Sequence, residues 1–312
     1  MSNPLRLLCL VFAVGTCAVT LAAAPADPAP SKANDAAHKL LSYKTTPQGE
    51  LKIEIFFPPD WKASDQRPAI VFFFGGGWTN GDRQQFAPQC EYLASRGMVA
   101  ATADYRIKSR HGTTPDKCVE DAKSAVRWLR QHSAELGIDP ARLAAGGGSA
   151  GGHLAAATAL VPGSNPPGED AAVSSVPNAL VLFNPVMDLR GIALHYMPGT
   201  GDEQAKLARD LSPNEFLAKQ TPPMILFFGS KDQLGAGGQD TIDKSAATGN
   251  RAELYLAEGM GHGFFNNPPW RESTLRQADE FLTSLGYLNG KPTIEADPKA
   301  ELKRAEPRKH GE

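Results

Sequence analysis

Between residues 51 and 285 the chain repeatedly changes its hydrophobic rhythm, and each change predicts an element. LKIEIFF (51–57) alternates apolar and polar positions, the period of a strand with one covered face. AIVFFF (69–74) does not alternate, as expected of a strand buried on both faces. MVAATADY (98–105), RLAAG (142–146), NALVLFN (178–184), MILFFGS (224–230) and ELYLAE (253–258) predict five more strands. Helices are predicted over 85–96, 115–132, from Ala150 onward, and over 271–285. In the second of these Val119, Ala122, Val126 and Leu129 recur at helical spacing, and Gly97 suits the end of the first. Strands taking turns with helices predict an α/β fold, a mostly parallel central sheet with helices on both faces. Residues 187–219 hold no strand candidate and could supply helices over the sheet's carboxyl edge.

The remaining segments set expectations about processing and order. Arg6, the apolar run 7–21 and the small residues of 22–26 read as a secretory signal peptide over residues 1–26. The expected organisation continues with a flexible lead-in (27–39), a catalytic domain (40–288) and a charged, disordered tail (289–312). Export implies a secreted or periplasmic protein, with no later stretch suited to crossing a membrane. Past the signal only Cys90 and Cys118 remain, as one bridge or as two buried thiols. A formal net charge of -2 without a basic stripe gives no reason to expect nucleic acid as partner.

One glycine cluster changes the picture from fold to chemistry. LAAGGGSAGGHL (143–154) sets Gly147-Gly148-Ser149-Ala150-Gly151 between a strand and a helix. In that context G-x-S-x-G is a nucleophile elbow, a strained turn that lifts the serine hydroxyl above the sheet. Glycine is needed on either side because side chains there would collide. A serine hydroxyl needs a base, and the base needs an orienting carboxylate. His262, in EGMGHGFF just after the last parallel strand, is the candidate base. Asp232, in GSKD after MILFFGS, is the candidate acid, with Asp240 and Asp243 as rivals farther from the strand end. His153, within the elbow helix, is expected to pack or hydrogen-bond. Gly76 and Gly77, after the strand ending at Phe74, can join the Ala150 N–H in an oxyanion hole. Neither glycine cluster matches a phosphate or dinucleotide loop, and His and Asp do not cluster at zinc spacings, so no cofactor or metal is expected.

The ordered set FGGGWTNGD, ADYRIKSRHGTTP, VEDAKSAVRWLRQHSAELGIDPARL and GGGSAGGHLAAATAL resembles secreted esterases of the α/β-hydrolase fold. The branch lies near hormone-sensitive-lipase-like carboxylesterases and feruloyl and acetyl-xylan esterase-like enzymes. The resemblance implies Ser149 as nucleophile, His262 as base and then acid, Asp232 as its partner, and Gly76, Gly77 and Ala150 as oxyanion donors. It also implies ester substrates, small or polysaccharide-linked. Phe74 departs from the family's pattern, which reads His-Gly-Gly-Gly; that histidine braces the loop, so loop geometry is the point in question. Trp78, Tyr105, His111 and Trp270 are candidate pocket walls. Two other readings stay open, a serine peptidase or amidase and a non-catalytic binding protein on this scaffold. Oligomeric state is not legible.

Overall fold

The computed structural model describes residues 38–308. The expected signal peptide and most of the lead-in lie outside the described residues. The described chain forms a nine-stranded sheet in the order β1-β2-β4-β3-β5-β6-β7-β8-β9. The strands are β1 (His38–Thr46), β2 (Gly49–Phe56), β3 (Arg67–Phe73), β4 (Val99–Ala103), β5 (Ile138–Gly148), β6 (Ala179–Phe183), β7 (Met224–Gly229), β8 (Ala252–Ala257) and β9 (Leu302–Ala305). From β4 through β3, β5, β6 and β7 to β8 every pairing is parallel, whereas β1, β2 and β9 join antiparallel. The helices are α1 (Ala87–Ser95), α2 (Lys108–His111), α3 (Pro115–Gln131), α4 (Ser133–Leu136), α5 (Ala150–Leu160), α6 (Gly201–Leu211), α7 (Gly235–Thr248) and α8 (Trp270–Ser284). All seven expected strands are present.

Alternate residues of the central strands feed two cores, one on each face. Ile70, Phe72, Val181, Phe183, Ile225 and Phe227 meet Leu93 of α1 and Leu275, Phe281 and Leu282 of α8. Val71, Phe73, Leu180, Leu182 and Leu226 meet Val119, Val126 and Leu129 of α3 and Leu154 of α5. This double burial is why those strands are continuously apolar. β4 lies on one side of β3 and β5 on the other, so chain direction across the sheet reverses there. Such a reversal opens a crevice at the carboxyl ends of the two strands, and both glycine clusters stand at it.

The tail and lead-in depart from expectation. The segment 289–312, expected to be disordered, contributes β9, which pairs with β8 from Leu254↔Ala305 to Ala257↔Leu302. The outer edge of β8 offers unpaired backbone groups, and a short charged strand satisfies them while its side chains stay in water. Arg308 then ion-pairs with Asp243 at 2.6 Å. At the other end β1 begins at His38, inside the expected lead-in. Cys90 and Cys118 are free and buried, which settles the thiol alternative. No described helix is long and apolar enough to cross a membrane.

Candidate active site

The site is assembled from the carboxyl ends of neighbouring strands. Ser149 follows β5 directly, with φ 53° and ψ -119°, a backbone conformation that is costly for a non-glycine residue. Its N–H donates to Phe183 O at 2.8 Å, and its own carbonyl accepts from His153 N–H at 2.9 Å. The flanking glycines are forced by contact: a Cβ at Gly147 would lie 2.5 Å from Phe73 O, and one at Gly151 2.0 Å from the same atom. The elbow therefore depends on α5 pressing against the end of β3.

Ser149, His262 and Asp232 form a hydrogen-bonded line. The Ser149 hydroxyl lies 2.9 Å from His262 Nε2, and His262 Nδ1 lies 2.9 Å from Asp232 Oδ2. A carboxylate can only accept, so Nδ1 carries the proton and Nε2 offers its lone pair to the serine. Asp232 Oδ1 also accepts from the Leu234 N–H at 3.0 Å, and Oδ2 from Asn184 Nδ2 at 2.5 Å. Burial alone would raise the Asp232 pKa. The bonds from His262, the Leu234 amide and Asn184 outweigh it and hold the carboxyl below the usual range. The Asp232 side chain is 2% exposed and the His262 ring 43%, so the base faces solvent while its partner is sealed. The rival carboxylates are engaged elsewhere: Asp240 with Lys244 at 3.0 Å, and Asp243 with Arg308.

The loop after β3 supplies amides on the other side of the serine. Gly76 (φ 124°) and Gly77 (φ 60°) take left-handed backbone conformations, and Trp78 (φ 55°) follows them. The Gly75 N–H is occupied by Gln85 Oε1 at 2.6 Å. Among the described residues none accepts a hydrogen bond from the N–H of Gly76, Gly77 or Ala150. Phe74 braces this loop by packing. Its ring stacks on Tyr105 at 4.2 Å, the Tyr105 hydroxyl donates to the Phe74 carbonyl at 2.8 Å, and a Cβ at Gly81 would lie 2.4 Å from the Phe74 ring. Gln85 adds a polar tie, donating through Nε2 to Asn266 Oδ1 at 2.9 Å, in the loop that carries His262.

A cavity of about 720 Å³ opens over Ser149 and His262, bordered by Gly76, Gly77, Trp78, Gln85, Tyr196 and Asn266. Of the four expected walls only Trp78 borders it, and its indole N–H turns away to donate to His153 Nδ1 at 3.2 Å. Tyr105 is wholly buried under Phe74, because the residue just past β4 turns inward to carry the neighbouring loop. His111 accepts from the Ile107 N–H at 2.9 Å, and Trp270 packs edge-on against Phe264. Neither borders the cavity. The stretch 187–219 contributes one wall: Tyr196, 41% exposed, sets its ring against Trp78 at 5.4 Å and directly over Gly77. A second cleft of about 510 Å³ adjoins across Gln233 and Leu234, with Asp188, Arg190, Asn214, Asp240 and Lys244 among its walls. Asn184, Gln85, Asn266 and Tyr196 were not among the residues expected at the site. Only Asn184 carried a signal, as the polar residue closing an otherwise apolar strand.

Comparison with known proteins bears on family and fold. The model of the BD-FAE family matches residues 53–237. The probable carboxylic ester hydrolase LipM of Mycobacterium tuberculosis is 33% identical over 200 residues, 58% of this chain and 45% of LipM. Carboxylesterase NlhH of the same species is 26% identical over 235 residues, 70% of this chain and 72% of NlhH. The chain thus spans about half of one curated relative and most of the other. Among solved structures, Thermogutta terrifontis esterase 2 phosphorylated by paraoxon is 45% identical with a TM-score of 0.76, over 82% of this chain and 97% of that one. The same esterase with propionate bound superimposes equally well, at 45% identity and a TM-score of 0.76. The nine-stranded sheet and these neighbours make the fold an α/β-hydrolase.

Proposed function

The chain belongs to the BD-FAE family and its relatives are carboxylesterases, and from that premise we propose that it hydrolyses carboxylic esters through an acyl-enzyme on Ser149. The supporting observation is the hydrogen-bonded line from Ser149 through His262 to Asp232 at the sheet's carboxyl edge. As Ser149 Oγ attacks the ester carbonyl, His262 Nε2 takes its proton, and the sealed Asp232 carboxylate steadies the imidazolium. The tetrahedral oxyanion is received by the N–H groups of Gly76, Gly77 and Ala150, the last at the positive end of α5. His262 returns the proton to the departing alcohol. Water then attacks the acyl-enzyme, the proton again passing through His262, and the acid leaves.

The acyl group we assign is short, in line with the propionate- and butyrate-bound forms of the T. terrifontis esterase. For the alcohol we favour a hydroxyl-rich group such as a carbohydrate. The adjoining cleft pairs its charges, Arg190 with Asp188 at 2.7 Å and Lys244 with Asp240 at 3.0 Å. Walls of paired charges offer donors and acceptors without net charge, which suits neutral hydroxyls. We also propose export, on the N-terminal pattern alone; fractionation of the producing cell tests it.

The test is steady-state hydrolysis of p-nitrophenyl esters from acetate to octanoate, of acetylated sugars and of p-nitroanilides, by the protein and by Ser149→Ala. The expected result is turnover of acetate to butyrate esters, a roughly 10⁴-fold or greater loss in the variant, and little anilide cleavage. Preferential anilide cleavage would favour the amidase reading. A folded protein without turnover would favour the binding protein.

A further inference from the structure

The end of β6 holds a buried polar residue that the ester-cleaving steps do not use. Asn184 follows Phe183, is 0% exposed and adopts φ 44°. Its own N–H donates to Phe227 O at 2.8 Å, which fixes its backbone to β7. Both ends of its amide are engaged. Nδ2 meets Asp232 Oδ2, the same oxygen that accepts from His262. Oδ1 accepts from the N–H of Gly263, the residue after His262, at 3.3 Å. The orientation of the amide is forced, because a carboxylate needs a donor and a backbone N–H needs an acceptor.

We propose that Asn184 is a positioning residue that sets the acid Asp232 and the loop of the base His262 in one register, and this rests on the triad reading above. Three demands meet at this position. The left-handed backbone favours Gly, Asn or Asp over other residues. Glycine cannot bridge two loops. Aspartate could accept from Gly263 but would set a second carboxylate against Asp232. Asparagine meets all three. With Leu234 N–H on Oδ1 and two donors on Oδ2, the Asp232 carboxylate cannot rotate, and the imidazole it orients stays aimed at Ser149. Asn184 does not border the substrate cavity, so its effect reaches the reaction only through the two residues it ties.

Two variants test this. Asn184→Asp keeps shape, backbone tolerance and the acceptor for Gly263, and exchanges the donor for a negative charge. Asn184→Gly keeps the backbone alone. The charged and titratable side chains bordering the cavity beside His262 are Asp232, Lys231, His195 and Tyr196, and all remain in both variants. For Asn184→Asp the expected result with p-nitrophenyl butyrate is a kcat lower by roughly 10- to 100-fold. KM should stay nearly constant, and the acid limb of the kcat/KM profile should move to higher pH as added negative charge favours the imidazolium. Asn184→Gly should lose kcat to a similar extent with a smaller displacement of the limb. Unchanged kcat and an unmoved limb in both folded variants, beside an inactive Ser149→Ala, would overturn the assignment. So would losses that merely track the folded fraction. A Ser149→Ala protein that retains activity would instead remove the triad reading on which it stands.

Discussion

Acidification should reveal how deeply His153 is set. The imidazole is 0% exposed within α5, its Nδ1 accepting from Trp78 Nε1 and its Nε2 lying 2.9 Å from the Leu211 carbonyl. That arrangement requires the neutral ring, since a proton on Nδ1 would face the indole N–H. Burial pushes its pKa down to about 4, against a smaller opposing pull from the Leu211 carbonyl. In an unfolded chain the same ring titrates near about 6.5. Between those values the unfolded state binds a proton that the native state refuses, so stability is lost as pH falls from about 6.5 to about 4. About 2.5 pH units at about 1.4 kcal/mol each amounts to roughly 3–4 kcal/mol, a large share of a typical domain's stability. The assay is urea unfolding of the protein and of His153→Gln at about pH 7 and about pH 4.5. Carboxylates titrate in both proteins and cancel in the comparison. The native protein should lose roughly 2–3 kcal/mol more than the variant on acidification. Parallel losses would refute the assignment of a buried neutral ring.

Three further outcomes follow from named contacts. Gly151→Ala sets a Cβ against the Phe73 and Phe74 carbonyls at 2.0 and 2.3 Å; backbone cannot yield there, so a loss of about 3 kcal/mol or more is expected, read by thermal melting. Asp232→Asn should lower kcat by about 10⁴-fold with KM little changed, because the amide no longer selects the productive tautomer or steadies the imidazolium; steady-state kinetics with a butyrate ester decides it. Gln85→Ala frees the Gly75 N–H and cuts the tie to Asn266. Acylation measured by stopped flow should slow roughly tenfold while the melting profile stays two-state, and an unchanged rate would mean that Phe74 and Tyr105 suffice to hold the loop.

What could be read in advance was what burial writes into sequence. Strands covered on both faces must be apolar throughout, so β3, β6 and β7 stood out as runs, and the residues just past β5, β7 and β8 became natural candidates for chemistry. The edges carried no such mark. β1 has a single buried residue, Tyr43, and β9 reads LKRA, because an edge strand is held by backbone bonds to one neighbour and asks little of its side chains. The helix α7 opens with GAGGQ, which reads as loop; it is packed through Ile242 and Thr241. Tyr105 shows the opposite case: an aromatic at the end of a predicted strand was a candidate wall, and it turns inward to support Phe74. Asn184 and Gln85 act through pairings that join distant loops, and such partners are fixed by topology, not by local pattern.

Everything proposed for the site rests on the reactivity of Ser149. The protein, Ser149→Ala and His262→Ala should each be treated with a fluorophosphonate, followed by intact mass and peptide mapping. One adduct is expected on the native protein, mapped to Ser149, with none on Ser149→Ala and greatly slowed labelling of His262→Ala. Labelling that maps to another residue, or that persists in Ser149→Ala, would contradict it.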